Sequence, residues 1–600
     1  MTDAEGPTLG ARTEAAGVRF TVWSDKAREV SVVLYDRPNE PTREIALGRG
    51  QEPHTFVTLV RQVRPGTLYD FKLDGRTAVD PYARCLPFGV HGPAQVTSAP
   101  VPRKFPKRQV ALDQNEVLYE LHIGTFTPDG TFESARGRLA ELRELGITTI
   151  ELMPIAAFAG ARGWGYDGVG LFAPFAHYGS PNDLSLFIDT AHSLEMSVIL
   201  DVVYNHLGPD GDPLPAFSDA YFDSERKNAW GKAPALEKQA FRRLILDNAR
   251  YWLNELGFDG LRLDATHELE PGGTPHILSE LARVARACAP PAVLFAEDSR
   301  NDPRNLLDHG IDAVWSDDFH HALHVLLTSE QDGYYGAFSG HLTDLAHVIE
   351  RGQLFEGQLT TRGQQRGKSA AGIPAQRFVF ALQNHDQVGN RAHGERLHTL
   401  AGLDAFCAAS LLLLFLPATP ILFMGQEWAS SAPFLYFSDH AGELGTRVSH
   451  GRRQEFGHFS AFREAEVDQI PDPQAESTFL RSKLDWSERR WPEHAQTLAL
   501  YRRGLELRRT DPVLREAREL SVGTIGSTLW VSRQTPHGER LLLFNAGPAA
   551  TLKEVAGRSA SAAQPLLSST SLTPASSSFV LAAMSATIYA LRRPREPRST

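Results

Sequence analysis

Between Gly17 and about Leu73 apolar and polar residues alternate in short runs, VRFTVWS, EVSVVLY, HTFVTLV and LYDFKLDG, separated by Asp, Gly, Pro or Asn. A period of two marks strands with one buried face, and turn residues between them predict a small antiparallel β-sandwich. Residues 97–107 (TSAPVPRKFPK) carry three prolines and three cations, a composition that suits an extended tether. Beyond it, compact apolar runs alternate with stretches at helical spacing. The strand candidates are VLYELHI (117–123), TTIELMPI (148–155), SVILDVVYN (197–205), GLRLDA (260–265), VLFAED (293–298), DAVWSDD (312–318), FVFALQNHD (378–386) and PILFMGQE (420–427). Helical spacing shows in ARGRLAELRELG, NDLSLFIDTAHSLE and QAFRRLILDNARYWLNELG, the first and last closed by glycine. Several of the strand runs are apolar on both alternating faces, as strands are when helices cover one side and a barrel interior fills the other. Eight β-then-α units predict a closed (β/α)8 TIM barrel. After about Arg509 short alternating runs return (STLWVSR, RLLLFNAG, SATIYALR) and predict a C-terminal β-sandwich domain. The expected division is 1–105, 106–510 and 511–600, with a frayed tail at RRPREPRST.

The chain has 600 residues, 61 Lys plus Arg against 72 Asp plus Glu, and a formal charge of −11, which disfavours a nucleic-acid partner. Its three cysteines (Cys85, Cys288, Cys407) form no C-x-x-C pair, so neither a disulfide framework nor a thiolate zinc site is expected. The run Leu411–Met424 is shorter than the roughly 20 residues a bilayer requires and is broken by Pro417 and Pro420, so it reads as buried core. The opening MTDAEGPTLG lacks the features of a signal peptide. No membrane partner and a cytoplasmic location are the expectations.

In a barrel of this kind, side chains at the C-terminal ends of the strands converge on one mouth. Asp201, Asp264, Glu297 and Asp386 fall there, in apolar surroundings where desolvating four carboxylates is costly without cations, hydrogen bonds or substrate in return. Arg262 and Asp264 are two apart in a strand and so share a face, where the guanidinium favours the ionised carboxylate. Glu297, behind Leu294, Phe295 and Ala296, has a drier setting that favours its protonated form. An ionised carboxylate beside a protonated one is what a retaining glycosidase uses, with the two carboxyls about 5 to 5.5 Å apart. Asp386, flanked by Asn384, His385 and Gln387, suits a grip on sugar hydroxyls and on developing positive charge. Singly each signal has a plainer reading: Arg-x-Asp as a buried ion pair, His206 and His385 as hydrogen-bonded loop residues. Tyr166 in GWGYDG reads equally as turn packing or as a platform for a sugar ring.

DVVYNH (201–206), DGLRLDATH (259–267), FAED (295–298) and QNHDQ (383–387) resemble, in order, the four signature regions of the α-amylase family of glycoside hydrolases. By that resemblance Asp264 is the nucleophile, Glu297 the general acid/base and Asp386 the transition-state stabiliser. Tyr166, Asp201, His206, Arg262, His385 and Gln387 are then substrate-binding residues, and the first domain is an immunoglobulin-like sandwich of the early-set, carbohydrate-binding type. Within the family, YELHIGTFTPDGTF (119–132), NHDQVGNRAHGERL (384–397) and GQEWASSAPFLYFSDH (425–440) are similar to the trehalose-releasing members. Their substrate is maltooligosyltrehalose, cut at the α-1,4 bond next to the terminal trehalose to leave a maltooligosaccharide. The likeness implies a functional pairing with a maltooligosyltrehalose synthase. Branching enzymes usually carry Ser-His-Asp-Glu at Asn384 to Gln387, which counts against branching; debranching enzymes share the domain order and remain an alternative. Thr266, His267, Glu268 and Asp298, following the nucleophile and the acid, are expected to line the side that receives the leaving sugars.

Two other classes of function compete. Asp201, Asp264 and Glu297 could bind Mg²⁺ in an enolase-like site, but no lysine stands at a strand end and Arg262 would compete with the cation. No complete calcium ligand set surrounds Asn205, so no metal and no cofactor are expected. A non-catalytic glucan-binding protein would not need the intact acid trio.

Overall fold

The computed structural model describes residues 9–98, 102–228, 230–360, 363–456, 469–517, 519–572 and 577–591. The expected frayed tail at 592–600 and part of the tether, 99–101, lie outside them. Two antiparallel sheets form the N-terminal sandwich. One contains Gly10–Glu14, Gly17–Trp23, Thr55–Val60 and Gly48–Arg49, and the other is built on Val30–Arg37 and Leu68–Leu73. Along Gly17–Trp23 every second residue is buried, so Val18, Phe20 and Val22 face the opposing sheet while Arg19 and Thr21 face outward. Phe20 meets Tyr69 edge-on at 5.1 Å and fixes how the two sheets stack.

All eight strand runs form the barrel, in the order of the sequence: β1 (Leu118–Leu121), β2 (Thr149–Leu152), β3 (Ser197–Val202), β4 (Gly260–Leu263), β5 (Val293–Ala296), β6 (Ala313–Trp315), β7 (Phe378–Ala381) and β8 (Thr419–Phe423). Neighbours pair in parallel, and β1 pairs with β8 as well as with β2, which closes the ring. The strands are shorter than the apolar runs suggested. Asp264 and Glu297 lie just beyond β4 and β5, and Asp386, expected at the end of β7, lies in the first turn of a helix, His385–Gly389. The cause is Asn384, whose side chain accepts the amides of Asp386 and Gln387 and starts a helix where the sequence alternation suggested more strand. The third helical stretch also departs from expectation: it runs as an α-helix over Gln239–Arg250 and widens into a π-helical segment, Tyr251–Leu256, before Gly257.

The apolar run at 411–424 is core, divided between a helix, Leu403–Phe415, and β8. That helix is apolar all round because it lies between the barrel and the C-terminal sheet, leaving no wet face to encode. The sheet has five antiparallel strands in the order Glu519–Ile525, Thr528–Thr535, Gly538–Asn545, Ser585–Leu591, Ala563–Ser568, with two small two-stranded ladders beside it. Buried Arg533 ties it to the barrel, donating to the carbonyls of Phe415 and Leu514 and to Gln114.

Candidate active site

Arg262 on β4 is the centre of the barrel mouth. The β3–β4 register sets it opposite Asp201, and its side chain is fully buried. Nη1 donates to both oxygens of Asp201 (2.9 and 2.8 Å) and to Asp264 Oδ1 (2.8 Å), and Nη2 donates to Glu297 Oε2 (2.6 Å). The guanidinium lies over the Trp315 ring at 4.5 Å, so an aromatic face shields its apolar side. One fixed cation thus holds three carboxyls from three adjacent strands, and it stands where an enolase-like metal would have to sit. Among the described residues no group of three or more His, Cys, Asp or Glu is arranged to hold a metal ion.

Asp264 and Glu297 differ in charge although they share that guanidinium. Burial alone would raise the pKa of Asp264, but Arg262, the amide of Asn205 (2.8 Å to Oδ2) and His206 together hold it below the ordinary aspartate value. Glu297 is driven the other way. Burial raises its pKa well above the usual glutamate value; Arg262 opposes this, while the negative fields of Asp264, Asp386 and Asp317 add to it. Its Oε2 also accepts the amide of Ala265 at 3.1 Å. Ala265 reaches that position in the left-handed region, at φ 39° and ψ 56°, a strained turn of the kind that gathers at functional sites.

A second chain of hydrogen bonds leads into the cluster from β1. Glu120 contacts His385 Nδ1 (2.5 Å) and accepts its amide (3.0 Å), and His385 Nε2 meets the Tyr166 hydroxyl (2.7 Å), which donates to Asp201 (2.7 Å). Burial works against a charge on His385, yet Asp386 and Glu120 outweigh it and raise its pKa to about 10. His385 is therefore an imidazolium that donates at both nitrogens. The Tyr166 ring lies against the imidazole, with centroids 5.1 Å apart and planes at 23°. The glycine loop makes this possible: Gly165 has φ 102°, and a Cβ there would lie 2.1 Å from the Pro154 carbonyl oxygen. Asp386 Oδ1 is 3.5 Å from His385 Nε2 and the Asp386 side chain is 40% exposed, so it faces the open mouth.

On the other flank His206 has Nδ1 2.5 Å from Asn205 Oδ1 and Nε2 3.0 Å from the Tyr166 carbonyl. Burial lowers its pKa, opposed by the Asp264 and Asp167 charges. Trp230 stacks on it at 4.4 Å with planes 6° apart, and the residue is 49% exposed. A groove of about 420 Å³ continues from these two rings past Asp212, Asp219 and Lys232.

The structure thus gathers Asp264, Glu297, Asp386, Tyr166, Asp201, His206, Arg262 and His385 into one site. Gln387 touches it at one remove, through a 3.1 Å bond from Nε2 to Asp317. His267 and Glu268 are half-buried in a 3-10 turn, Thr266–Leu269, just after Asp264. Asp298 departs from expectation. Both its oxygens are taken, Oδ1 by the amide and Nε of Arg300, and Oδ2 by Arg300 Nη2 (2.6 Å), Asn305 (2.8 Å) and Thr266 (3.1 Å). It braces the loop instead of presenting a carboxylate to the cleft, because an arginine two residues on can fold back onto it. The sequence reading missed Glu120, Trp230, Trp315 and Asp317, as well as Glu151 on β2, whose two oxygens are buried without a hydrogen-bond partner. A carboxylate in the middle of an apolar run was the available signal for Glu120 and Glu151; Trp230 gave none.

Two family models match the chain: "Carbohydrate-binding module 48 (Isoamylase N-terminal domain)" over residues 8–83 and "Alpha amylase, catalytic domain" over 105–230. The chain is 46% identical over 538 residues to a malto-oligosyltrehalose trehalohydrolase of Deinococcus radiodurans, covering 89% of this chain and 88% of that one. It is 38% identical over 490 residues to another protein of that name from Saccharolobus solfataricus, covering 80% and 84%. A crystal structure from Salmonella typhimurium, assigned as an alpha amylase, superposes with a TM-score of 0.87 at 36% identity, covering 98% of this chain and all of that one.

Proposed function

The chain belongs to the malto-oligosyltrehalose trehalohydrolases, a family of the α-amylase type, and from that premise we propose how its residues release trehalose. It is a glycosidase whose substrate is maltooligosyltrehalose and whose products are trehalose and a shortened maltooligosaccharide. Asp264, held ionised, attacks the anomeric carbon of the glucose joined to trehalose. Glu297, held protonated, gives its proton to the departing glycosidic oxygen, so trehalose leaves as a neutral sugar and a glucosyl–Asp264 ester remains. Glu297, now a carboxylate, takes a proton from a water molecule that attacks the same carbon, frees Asp264 and returns the acid to its starting form. Two inversions give net retention. Asp386 grips the hydroxyls of the distorted sugar and offsets the positive charge that builds on the ring, while the imidazolium of His385 beside it holds the Tyr166 hydroxyl in place. Tyr166, Asp201 and Arg262 hold this geometry, Trp230 and His206 offer stacked rings along the cleft, Gln387 binds substrate beside Asp386, and His267 and Glu268 lie toward the leaving trehalose.

The observation that carries this reading is the single Arg262 guanidinium bonded at one nitrogen to Asp264, whose pKa is held below the ordinary aspartate value, and at the other to Glu297, whose pKa burial raises well above the usual glutamate value. The test offers the purified protein maltoheptaose, a branched limit dextrin and maltooligosyltrehalose, and follows products and anomeric configuration by NMR. Free trehalose from the third substrate, with the new reducing end released first as the α-anomer, is expected. Debranching of the dextrin in preference would overturn the specificity, and a β-anomer would overturn the mechanism. The same reading places domain boundaries near 105 and 510, gives the first domain a glucan-binding role, and pairs the enzyme with a maltooligosyltrehalose synthase in the cytoplasm, in keeping with three unpaired cysteines. No helix among the described residues is long and apolar enough to cross a membrane.

A further inference from the structure

The groove that starts at His206 and Trp230 is walled by a barrel loop, and that loop is gripped from outside the barrel. Pro215, Ser218 and Asp219 line the groove, and the stretch they belong to leads directly into two paired strands, Phe222–Asn228 and Gly231–Pro234. Trp230 is a turn residue between those strands. The end of the sandwich strand Gly17–Trp23 and the turn after it hold the stretch at three points. Ser24, with no exposed surface, donates from Oγ to the Phe217 carbonyl at 2.6 Å. Lys26 Nζ donates to the Pro215 carbonyl (2.8 Å) and to Asp219 Oδ1 (2.6 Å). The Trp23 ring meets buried Tyr221 edge-on, with centroids 5.8 Å apart and planes at 82°.

The stretch has little of its own to fix it. Its two helical pieces, Leu214–Phe217 and Asp219–Tyr221, are single turns, too short to hold their shape alone. The carbonyls of Pro215 and Phe217 take their side-chain donors from the sandwich. Beyond it the paired strands are tied to the barrel. Asn228 Nδ2 donates to the Asn205 carbonyl (2.7 Å), and Asn228 Oδ1 accepts the amide of Trp230 (3.0 Å), beside the His206 ring on which the indole stacks. Arg226 adds a bond to the Glu270 carbonyl at 2.6 Å. The barrel thus fixes the Trp230 side of the groove and the sandwich fixes the Pro215–Asp219 side, so the shape between them depends on both. Trp23, Ser24 and Lys26 do not line the groove themselves, and each acts through Pro215, Phe217, Asp219 or Tyr221.

We propose that Trp23, Ser24 and Lys26 of the N-terminal sandwich are positioning residues for the glucan substrate: by holding the Pro215–Tyr221 wall against the Trp230 platform they set the groove into which the chain is laid. The sandwich then contributes to substrate binding through a loop of the barrel. The proposal rests on the reading of this groove as the place where substrate lies.

The test is a mutant cycle in the full chain, read by trehalose release from maltooligosyltrehalose, with circular dichroism and Tm reporting that each variant is folded. Trp23→Ala and Ser24→Ala are expected to raise KM about five-fold with kcat within about two-fold, the pattern of lost binding that is equal in ground and transition states. Trp23→Phe, which keeps a ring edge toward Tyr221, should restore the wild-type KM. In a Trp230→Ala background the same two changes should raise KM less than about two-fold, because one side of the groove that they shape is gone. Should Trp23→Ala fail to fold, Ser24→Ala and the surface variant Lys26→Met carry the same expectation. An unchanged KM in these folded variants while Trp230→Ala raises it would overturn this proposal alone. So would an equal rise in both backgrounds, or a fall in kcat without a rise in KM. An unchanged KM in Trp230→Ala would overturn the groove reading and this proposal with it.

Discussion

Replacing Arg262 by methionine removes the cation that lowers the pKa of both Asp264 and Glu297 while keeping an apolar side chain of similar length in a fully buried place. The guanidinium contacts Asp264 at 2.8 Å and Glu297 at 2.6 Å, with its charge spread over the group, so an effective charge separation near 4 Å is appropriate. At an effective dielectric of about 20, one unit charge at that distance is worth about 4 kcal/mol, equivalent to a roughly thousand-fold change in proton affinity. The sign is the same for both groups, because Arg262 lowers the pKa of each. Without it Asp264 stays protonated to higher pH, so the acid limb of kcat/KM moves alkaline; Glu297 keeps its proton longer, so the alkaline limb moves the same way. The whole pH profile is displaced upward, and kcat/KM measured at pH 5 relative to pH 8 falls at least tenfold below the wild-type ratio. Arg262→Lys retains the charge without the two-armed geometry, so its profile should stay in place while kcat drops. Removing one partner from such a cluster also costs about 3 to 5 kcal/mol of stability, which a lowered Tm would register. If the methionine variant loses activity equally at every pH, Arg262 only positions the carboxyls and the electrostatic account is wrong.

Asp264→Asn should lower kcat at least a thousand-fold while leaving maltooligosaccharide affinity by calorimetry nearly unchanged, since the group's contribution grows in the transition state. Asp317 is half-buried, with a pKa raised to about 6 by desolvation and by Asp386 and Asp318, and its charge helps to raise that of Glu297. Asp317→Asn should therefore move the alkaline limb of kcat/KM to lower pH with the acid limb unmoved; a shift to higher pH would refute that coupling. Trp230→Ala removes an exposed stacked ring, and aromatic contacts are worth about 0.5 to 1.5 kcal/mol, so KM for maltooligosyltrehalose should rise about five-fold with kcat within two-fold; an unchanged KM would take Trp230 out of the binding surface.

The eight strands and their order were legible in the chain itself, because a barrel stave buried on both faces must be apolar throughout and little else in a chain of this composition is. The acids at the strand ends were legible for the complementary reason: a carboxylate inside such a run is too costly to keep without a use. Asp264 as the anion and Glu297 as the acid followed from near neighbours, an arginine two residues away on the same strand face and three apolar residues in a row. What remained hidden depended on residues far apart in sequence. Glu120 reaches His385 across 265 positions, and that contact makes the histidine an imidazolium. Asp298 looked free because nothing local says that Arg300 folds back on it. Periodicity records which face of an element is buried; which charges then confront one another is settled by barrel closure, when segments hundreds of residues apart are brought within hydrogen-bond distance.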